Sequence, residues 1–245
     1  MSYIKPARGR LNRRSFLVAG LALATAIAAG CGPLSGLIDR DPNESVYRSQ
    51  LTPAEVLDDE AFAATGSAFE ARLRFLTGDS AAVRHVLGEG GNHYLVEVPS
   101  PDVPSFPGLV LTSGRVSLVM LPVDAAVDEP LPAGGVVIVD DLRVDAETVY
   151  LDDPGPGPVL EFTLHGAAAT ALAEATAIPN RALGVVVDGV VRFAAVVESP
   201  IPDGRISIAS PERPDMLSAI GAILASGPLG ADLVATDGGQ IMFDR

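Results

Sequence analysis

The sequence LGVVVDGVVRFAAVV, from Leu183 to Val197, decides the fold because it is typical of two strands joined by a tight turn. Leu183–Val187 and Val190–Val197 are rich in valine, which favours strands. Between them, Asp188-Gly189 is a strong signal for a two-residue hairpin turn, in which both central residues have positive φ. We therefore predict a β-hairpin in the last third of the chain.

A strand and a helix flank this hairpin on each side. Before it, Val159–Leu164 alternates as a strand does, and Ala167–Ala177 is an alanine-rich helical segment. After it, Ser210 is the predicted N-cap of a helix that Gly227 ends, and Leu233–Ala235 is a last short strand. The order β-α-β-β-α-β predicts an α+β fold with a ferredoxin-like (βαββαβ) head subdomain, in which two helices cover one face of a four-stranded antiparallel sheet.

The rest of the chain divides by composition into three further parts. Residues 1–30 are predicted to be a signal peptide, and residues 31–50, rich in Gly, Pro, Ser and charged side chains, a tether. Residues 51–155 are predicted to form a smaller mixed, β-rich base subdomain, beginning with a helix that Thr52 caps and that has Pro53 at its first position. The head subdomain then takes residues 156–245.

The segment before the only cysteine indicates export. The motif residues of a twin-arginine signal are present, namely Arg13, Arg14, Phe16 and Leu17. The uncharged run Phe16–Gly30 would rise about 22 Å as a helix, which is too short for a hydrocarbon core of about 30 Å. An ordinary secretory signal is the alternative, and both interpretations place the mature protein outside the cytoplasm.

Cys31 follows Ala28-Ala29-Gly30, and small residues directly before a cysteine favour a lipidation site. Acyl chains on Cys31 would then hold the protein at the extracytoplasmic face of a bacterial membrane, since each buried CH₂ contributes about 0.8 kcal/mol. The alternative is cleavage a few residues earlier by the general signal peptidase, which would leave an unpaired thiol in an oxidising compartment.

The charge of the mature part excludes several classes of partner. Residues 1–30 hold five of the 17 basic residues and none of the 31 acidic ones, so the mature part carries a net charge of −19. Nucleic acid is therefore an unfavourable partner. The histidines His85, His93 and His165 show no metal-ligand spacing, and no nucleophile or phosphate-binding motif occurs. We predict a protein that is not an enzyme and that needs no cofactor or metal.

Four blocks of the C-terminal third resemble the head subdomain of the first large extracytoplasmic loop of SecD, the membrane subunit that assists the Sec translocon. These blocks are Leu160–Ala167 (LEFTLHGA), Asn180–Val191 (NRALGVVVDGVV), Glu198–Ile206 (ESPIPDGRI) and Leu224–Leu233 (LASGPLGADL). Upstream, Phe69–Leu76 and Tyr94–Pro99 resemble the helix and strand of the base subdomain of the same loop.

The resemblance implies a lipid-anchored, stand-alone SecD-like binding module that contacts translocating or unfolded polypeptide, or the Sec translocon. Ala195 and Gly230 depart from it, because the family has proline at both positions. SecD would enter transmembrane helices after Leu233, whereas this sequence ends at Arg245, so no proton-driven motor of its own is expected. The alternative is a structural or regulatory envelope lipoprotein that uses the same scaffold for a different protein partner.

Two exposed turns are candidate partner contacts. Asp188 and Gly189 could present a hairpin tip, although a type I′ turn requires the same residue pair. Pro200, Ile201 and Pro202 form a rigid apolar segment that could contact an extended polypeptide, or instead pack against the base. The sequence leaves both pairs of alternatives open.

Overall fold

A computed structural model describes residues 45–78, 81–87, 91–100, 104–144, 149–152, 158–236 and 239–244. All of them belong to one compact unit, Asp41–Arg245. The predicted signal peptide, its twin-arginine motif and Cys31 lie outside the described residues. Within the described part of the chain, no helix combines the length and the apolar composition that crossing a bilayer requires.

The described chain alternates strands with a small number of helices, which confirms the predicted α+β class. The strands are Val46–Pro53 (β1), Ala82–Val86 (β2), His93–Pro99 (β3), Ser105–Pro107 (β4), Val116–Leu121 (β5), Val136–Val139 (β6), Tyr150–Asp152 (β7), Val159–Thr163 (β8), Ala182–Val187 (β9), Val190–Val196 (β10), Arg205–Ala209 (β11), Leu233–Ala235 (β12) and Met242–Asp244 (β13). The helices are Asp59–Thr77 (α1), Gly166–Thr176 (α2) and Pro214–Ser226 (α3), and Gly108–Leu111 forms a 3₁₀ turn.

The first sheet has the strand order β12-β1-β3-β2, and every neighbouring pair in it is antiparallel. Along the chain its elements follow one another as β1-α1-β2-β3, and then, after a long insertion, as α3-β12. Helices α1 and α3 pack against each other. This connectivity and strand order are those of a ferredoxin-like split βαβ unit, assembled from residues 46–99 together with residues 214–235.

The predicted position of the ferredoxin-like unit is therefore wrong. The strands that the sequence placed in one sheet lie in three: β8 pairs with β7 and β11, β9 and β10 form a sheet with β5 and β6, and β12 pairs with β1. The predicted boundary between residues 155 and 156 is also wrong, because the pairs β5–β9 and β7–β8 cross it. The physical reason is that an apolar pattern fixes how deeply a strand is buried and not which strand lies beside it.

The starts of β1, α1 and α3 differ from the predictions. β1 begins at Val46, so the predicted tether ends before Gln50, and Thr52 and Pro53 belong to this strand instead of starting a helix. α1 starts at Asp59, where the Asp58 side chain accepts a hydrogen bond of 2.8 Å from the Ala61 amide. Ser210 caps no helix, because α3 begins at Pro214.

The alanine-rich helix α2 and the glycine stop at Gly227, with φ of 77°, are confirmed.

Residues 105–213 form the insertion between β3 and α3. Its larger sheet has the order β10-β9-β5-β6, and its smaller sheet the order β11-β8-β7. Every residue of β5 and β9 is buried, as expected for central strands. One apolar core joins the insertion to the ferredoxin-like unit, since Leu51 and Phe69 of the unit belong to the same buried cluster as Leu160 and Val185 of the insertion.

A buried carboxylate ties three strands of the first sheet together. Glu97 in β3 is 3% exposed, and its carboxylate forms ion pairs with two arginines. Arg48 Nε of β1 lies 2.7 Å from Oε1, and Arg84 Nη2 of β2 lies 2.6 Å from Oε2. Burial raises the pKa of Glu97, but the hydrogen bonds from Arg84 and Arg48 outweigh it and leave the pKa below its ordinary value. The carboxylate therefore stays ionised and braces β1, β2 and β3.

Candidate binding groove

A groove of about 1070 Å³ lies where the insertion meets the ferredoxin-like unit. Most of its walls come from three parts of the chain: Ser105–Thr112, the start of α3, and β12 with the segment that follows it. Ala54 and Arg192 also line it. Its apolar lining includes Phe106, Leu109, Met216, Leu233, Ile241 and Phe243. The size and the mixed lining suit a segment of polypeptide as well as a small molecule.

The Ser105–Thr112 wall of the groove is held in place by a buried arginine of α1. Arg72 is 0% exposed and donates all five of its guanidinium N–H groups to atoms of the protein. Nη1 donates to the carbonyls of Val110 at 2.9 Å and Thr112 at 2.6 Å, and Nη2 to those of Ser113 and Gly227, both at 2.9 Å. Nε donates to the Ser226 hydroxyl at 3.1 Å. One side chain thereby fixes the groove wall to the end of α3.

The two carboxylates that accept hydrogen bonds from Ser113 also act on Arg72 through their charge. Ser113 donates its amide to Asp232 Oδ1 at 2.5 Å and its hydroxyl to Asp188 Oδ1 at 2.8 Å. Burial lowers the pKa of Arg72 to about 9, and the charges of Asp188 and Asp232 oppose that shift. At neutral pH the guanidinium is therefore charged.

The hairpin turn at Asp188-Gly189 has the predicted geometry, since φ is 50° at Asp188 and 80° at Gly189. Besides the hydrogen bond from Ser113, the Asp188 carboxylate accepts hydrogen bonds from the backbone amides of Gly114 and Arg115, both at 2.9 Å. Burial raises the pKa of Asp188, but these hydrogen bonds outweigh it and lower the pKa below its usual range. The carboxylate at the predicted hairpin tip is thus hydrogen-bonded to Ser113, Gly114 and Arg115, in the loop that adjoins the groove.

The second predicted contact segment, Pro200 to Pro202, lies beside the end of α2. Ile201 is half-buried against the core, and its amide donates to Thr176 Oγ1 at the end of α2 at 3.0 Å, whereas Pro200 and Pro202 are exposed. None of the predicted contact residues Asp188, Gly189, Pro200, Ile201 and Pro202 lines the groove. Partner contact through these residues stays a prediction.

The rim of the groove carries charges of both signs, but only the acidic ones are unpaired. Arg192 Nη1 and Arg213 Nη2 both contact the Asp128 carboxylate, at 3.1 and 2.9 Å. Glu212 and Asp215 are exposed at the start of α3 and form no salt bridge within the described residues. Because two arginines share one carboxylate, one positive charge remains against the two negative charges of Glu212 and Asp215, and the net charge of these groups is negative.

Metal-binding geometry is absent from the described ranges, which hold no group of three or more His, Cys, Asp or Glu residues that could bind an ion. His85 makes edge-on ring contacts with Phe62 and Tyr94, at centroid distances of 5.8 and 5.6 Å. This histidine therefore packs beside the aromatic core of the first sheet.

Sequence reasoning missed both the groove and Arg72. The wall Ser105–Thr112 lies about a hundred residues along the chain from the walls formed by α3 and β12, so no local pattern points to the groove. Arg72 carried a usable signal, because it falls on the buried stripe of α1 with Phe62, Phe69 and Leu73. A single charged residue on an apolar helix face indicates a buried polar contact.

Gly230, which departs from the SecD pattern, has a structural role. Its amide donates to Thr65 Oγ1 of α1 at 3.0 Å, and a Cβ atom at this position would lie 2.7 Å from the same oxygen. Proline has no N–H and carries side-chain atoms, so it could not form this contact. The glycine therefore allows the segment between α3 and β12 to approach α1 closely.

The sequence matches no protein family model and no curated protein. Among solved structures, the chain is similar to the crystal structure of SecDF in its super-membrane-facing form, with a TM-score of 0.56 and 15% identity over 79% of this chain and 30% of that one. It is also similar to a structure of SecDF, described as a membrane component that enhances protein export, with a TM-score of 0.52 and 15% identity over 78% of this chain and 98% of that one. The chain thus spans less than a third of the first structure and nearly all of the second, and it shares the fold of that part of SecDF.

Proposed function

We propose that this chain is a SecD-like binding module outside the cytoplasm, which contacts translocating or unfolded polypeptide or the Sec translocon and performs no catalysis. The observation that carries the proposal is the likeness of fold to SecDF over 79% of the chain, with TM-scores of 0.56 and 0.52. SecDF itself is described as enhancing protein export. A fold does not fix a function, so the site has to supply the rest of the argument.

The groove supplies the second support. Several segments of the chain line it, its lining includes apolar side chains, and its rim carries carboxylates that form no salt bridge within the described residues. An unfolded polypeptide exposes apolar side chains and backbone groups that such a surface can bind. Because the guanidinium of Arg72 holds one wall in place, little ordering of the groove is needed when a ligand binds.

We expect the full-length protein to retain a permanently unfolded polypeptide, such as a reduced and alkylated secretory protein, and not the same protein in its folded form. The reason is that only the unfolded form offers extended backbone and apolar side chains to the groove. Binding is measured by fluorescence anisotropy with the labelled polypeptide. Crosslinking in intact cells, followed by identification of neighbours, tests the translocon contact in parallel. Failure to bind unfolded chain, together with recovery of a defined partner unrelated to Sec, would favour the alternative role as an envelope lipoprotein with a different partner.

Membrane attachment is proposed to depend on a lipid at Cys31, the only cysteine of the chain. We expect a Cys31→Ala variant to move from the membrane fraction to the soluble extracytoplasmic fraction and to lose incorporation of labelled fatty acid. Several acyl chains hold a protein firmly at a bilayer, whereas the acidic mature part has no electrostatic attraction to anionic lipid. An Arg13→Lys, Arg14→Lys variant is the control for export, because it retains both charges and removes the paired arginines. Unchanged membrane attachment of Cys31→Ala would contradict the lipid anchor.

A further inference from the structure

The β12 strand lies at the outer edge of the first sheet. In the order β12-β1-β3-β2, its described strand partner is β1 alone. Leu233, Val234 and Ala235 also line the groove, so the outer edge of this sheet is a wall of that groove. An edge strand presents backbone groups that can pair with another extended chain.

The register shows which backbone groups point outward. The Ala54 amide donates to the Asp232 carbonyl at 2.7 Å, and the Thr236 amide to the Gln50 carbonyl at 3.1 Å. Because hydrogen-bonded pairs alternate along antiparallel strands, the bonded pair between these two is Thr52 with Val234. The N–H and C=O groups of Leu233 and Ala235 therefore point away from β1.

The walls of the groove are arranged so that an extended chain can lie between them. β12 forms one wall and Ser105–Pro107 of β4 lies among the residues of another, with apolar side chains such as Phe106 and Phe243 in the lining. A strand of added polypeptide places its side chains alternately on two faces. Every second side chain of such a strand would then contact the apolar lining.

The charges at the groove rim determine whether a basic or an acidic polypeptide is favoured as the ligand. Glu212 and Asp215 are exposed and unpaired within the described residues, while Arg192 and Arg213 both contact Asp128. The mature part as a whole is strongly acidic. A polypeptide that carries lysine or arginine is therefore favoured over an acidic one.

We propose that an extended polypeptide segment with basic side chains binds in this groove by adding a strand to the outer edge of β12. The proposal rests on the proposed function, because it names the surface and the manner in which the module takes hold of polypeptide. Backbone hydrogen bonds at Leu233 and Ala235 give an affinity that is largely independent of the sequence of the bound segment. The apolar lining and the acidic rim then favour segments that carry both apolar and basic side chains.

The test compares two substitutions at one position. Ala235→Pro removes an N–H that points into the groove and leaves the pairing with β1 intact, since proline is tolerated on an edge strand where its nitrogen faces outward. Ala235→Ser retains that N–H and is the matched control. The probe is a short peptide of alternating valine and lysine, and the dissociation constant is measured at low and at high salt.

We expect Ala235→Pro to bind the probe about tenfold more weakly, Ala235→Ser to bind it as the unmodified chain does, and high salt to weaken binding of the unmodified chain. Equal binding by Ala235→Pro and Ala235→Ser overturns strand addition at β12. If the two variants bind the probe equally and the unmodified chain still binds unfolded polypeptide, the proposed function stands and only the site at β12 is rejected. If the unmodified chain binds neither the probe nor unfolded polypeptide, both proposals fail.

A second measurement does not depend on how well Ala235→Pro folds. A photo-crosslinking amino acid is placed at Val234, which is 50% exposed in β12. In a separate variant it is placed at Ile178, which is 53% exposed and lies just after α2. We expect the probe to crosslink from position 234 and not from position 178. Crosslinking from position 178 alone would overturn the proposal.

Discussion

The Arg72→Met variant is expected to unfold with a free energy lower by about 4 kcal/mol than that of the unmodified chain. Methionine fills a similar volume, so the cost comes from polar contacts and not from a cavity. The substitution leaves the carbonyls of Val110, Thr112, Ser113 and Gly227 without their donor in a buried place. It also separates the groove wall from the end of α3.

Arg74→Met is the matched control on the same helix. Arg74 is exposed and forms an i, i+4 ion pair with Glu70 at 2.8 Å, so its loss is expected to cost less than about 0.5 kcal/mol. Arg72→Lys should fall between the two, because an ammonium group retains the charge but has three donors where the guanidinium has five. Unfolding in urea, followed by circular dichroism, measures all three variants. Equal stability of Arg72→Met and Arg74→Met would show that the network contributes nothing.

The second large effect is expected at Asp188. Asp188→Ala removes the acceptor for Ser113 Oγ, Gly114 N and Arg115 N, and it places alanine at a φ of 50°. Charge-assisted hydrogen bonds to a partly buried carboxylate, together with about 1 kcal/mol for a left-handed alanine, give an expected loss of about 3 kcal/mol. Asp124→Ala is the control, since Asp124 is exposed and forms no salt bridge among the described residues.

The Asp188 effect should depend on pH in a defined direction. The pKa of Asp188 is lower in the folded protein than its ordinary value of 3.8, because the hydrogen bonds from the loop outweigh burial. The unfolded state therefore takes up a proton first as the pH falls, and the stabilisation is complete at neutral pH. We expect the difference in unfolding free energy between the unmodified chain and Asp188→Asn to decrease as the pH falls below about 4. A difference that stays constant from neutral to acidic pH would contradict this role of the carboxylate.

Local features of the fold could be predicted from the sequence, because each depends on neighbouring residues. The Asp188-Gly189 turn, the helix α2 and the stop at Gly227 all follow from the backbone preferences of residues close in sequence. The resemblance to SecD identified the fold that the solved structures also show. The start of α1 was missed because Thr52 and Pro53 resemble a helix cap, whereas their pairing with Val234 and Leu233 makes them part of a strand.

Strand pairing and the groove could not be predicted, because they join residues that are distant along the chain. Leu51 pairs with Ala235, and nothing in either segment specifies the other. The same holds for Arg72, whose partners lie near Val110 and Gly227. The sequence indicated that these residues are buried or extended, but the close packing of the whole chain determines what they touch.

The pairing of the first strand with one of the last has a consequence for synthesis. β1, α1, β2 and β3 emerge from the ribosome well before Leu233–Ala235, so the nascent sheet lacks its outer strand while the residues between β3 and β12 are synthesised. Contacts between such distant segments form late and slowly, and an open edge exposes a growing chain to aggregation. Completion of the first sheet is thus coupled to the emergence of β12, and a chaperone that shields β1 in the meantime would be expected to raise the yield.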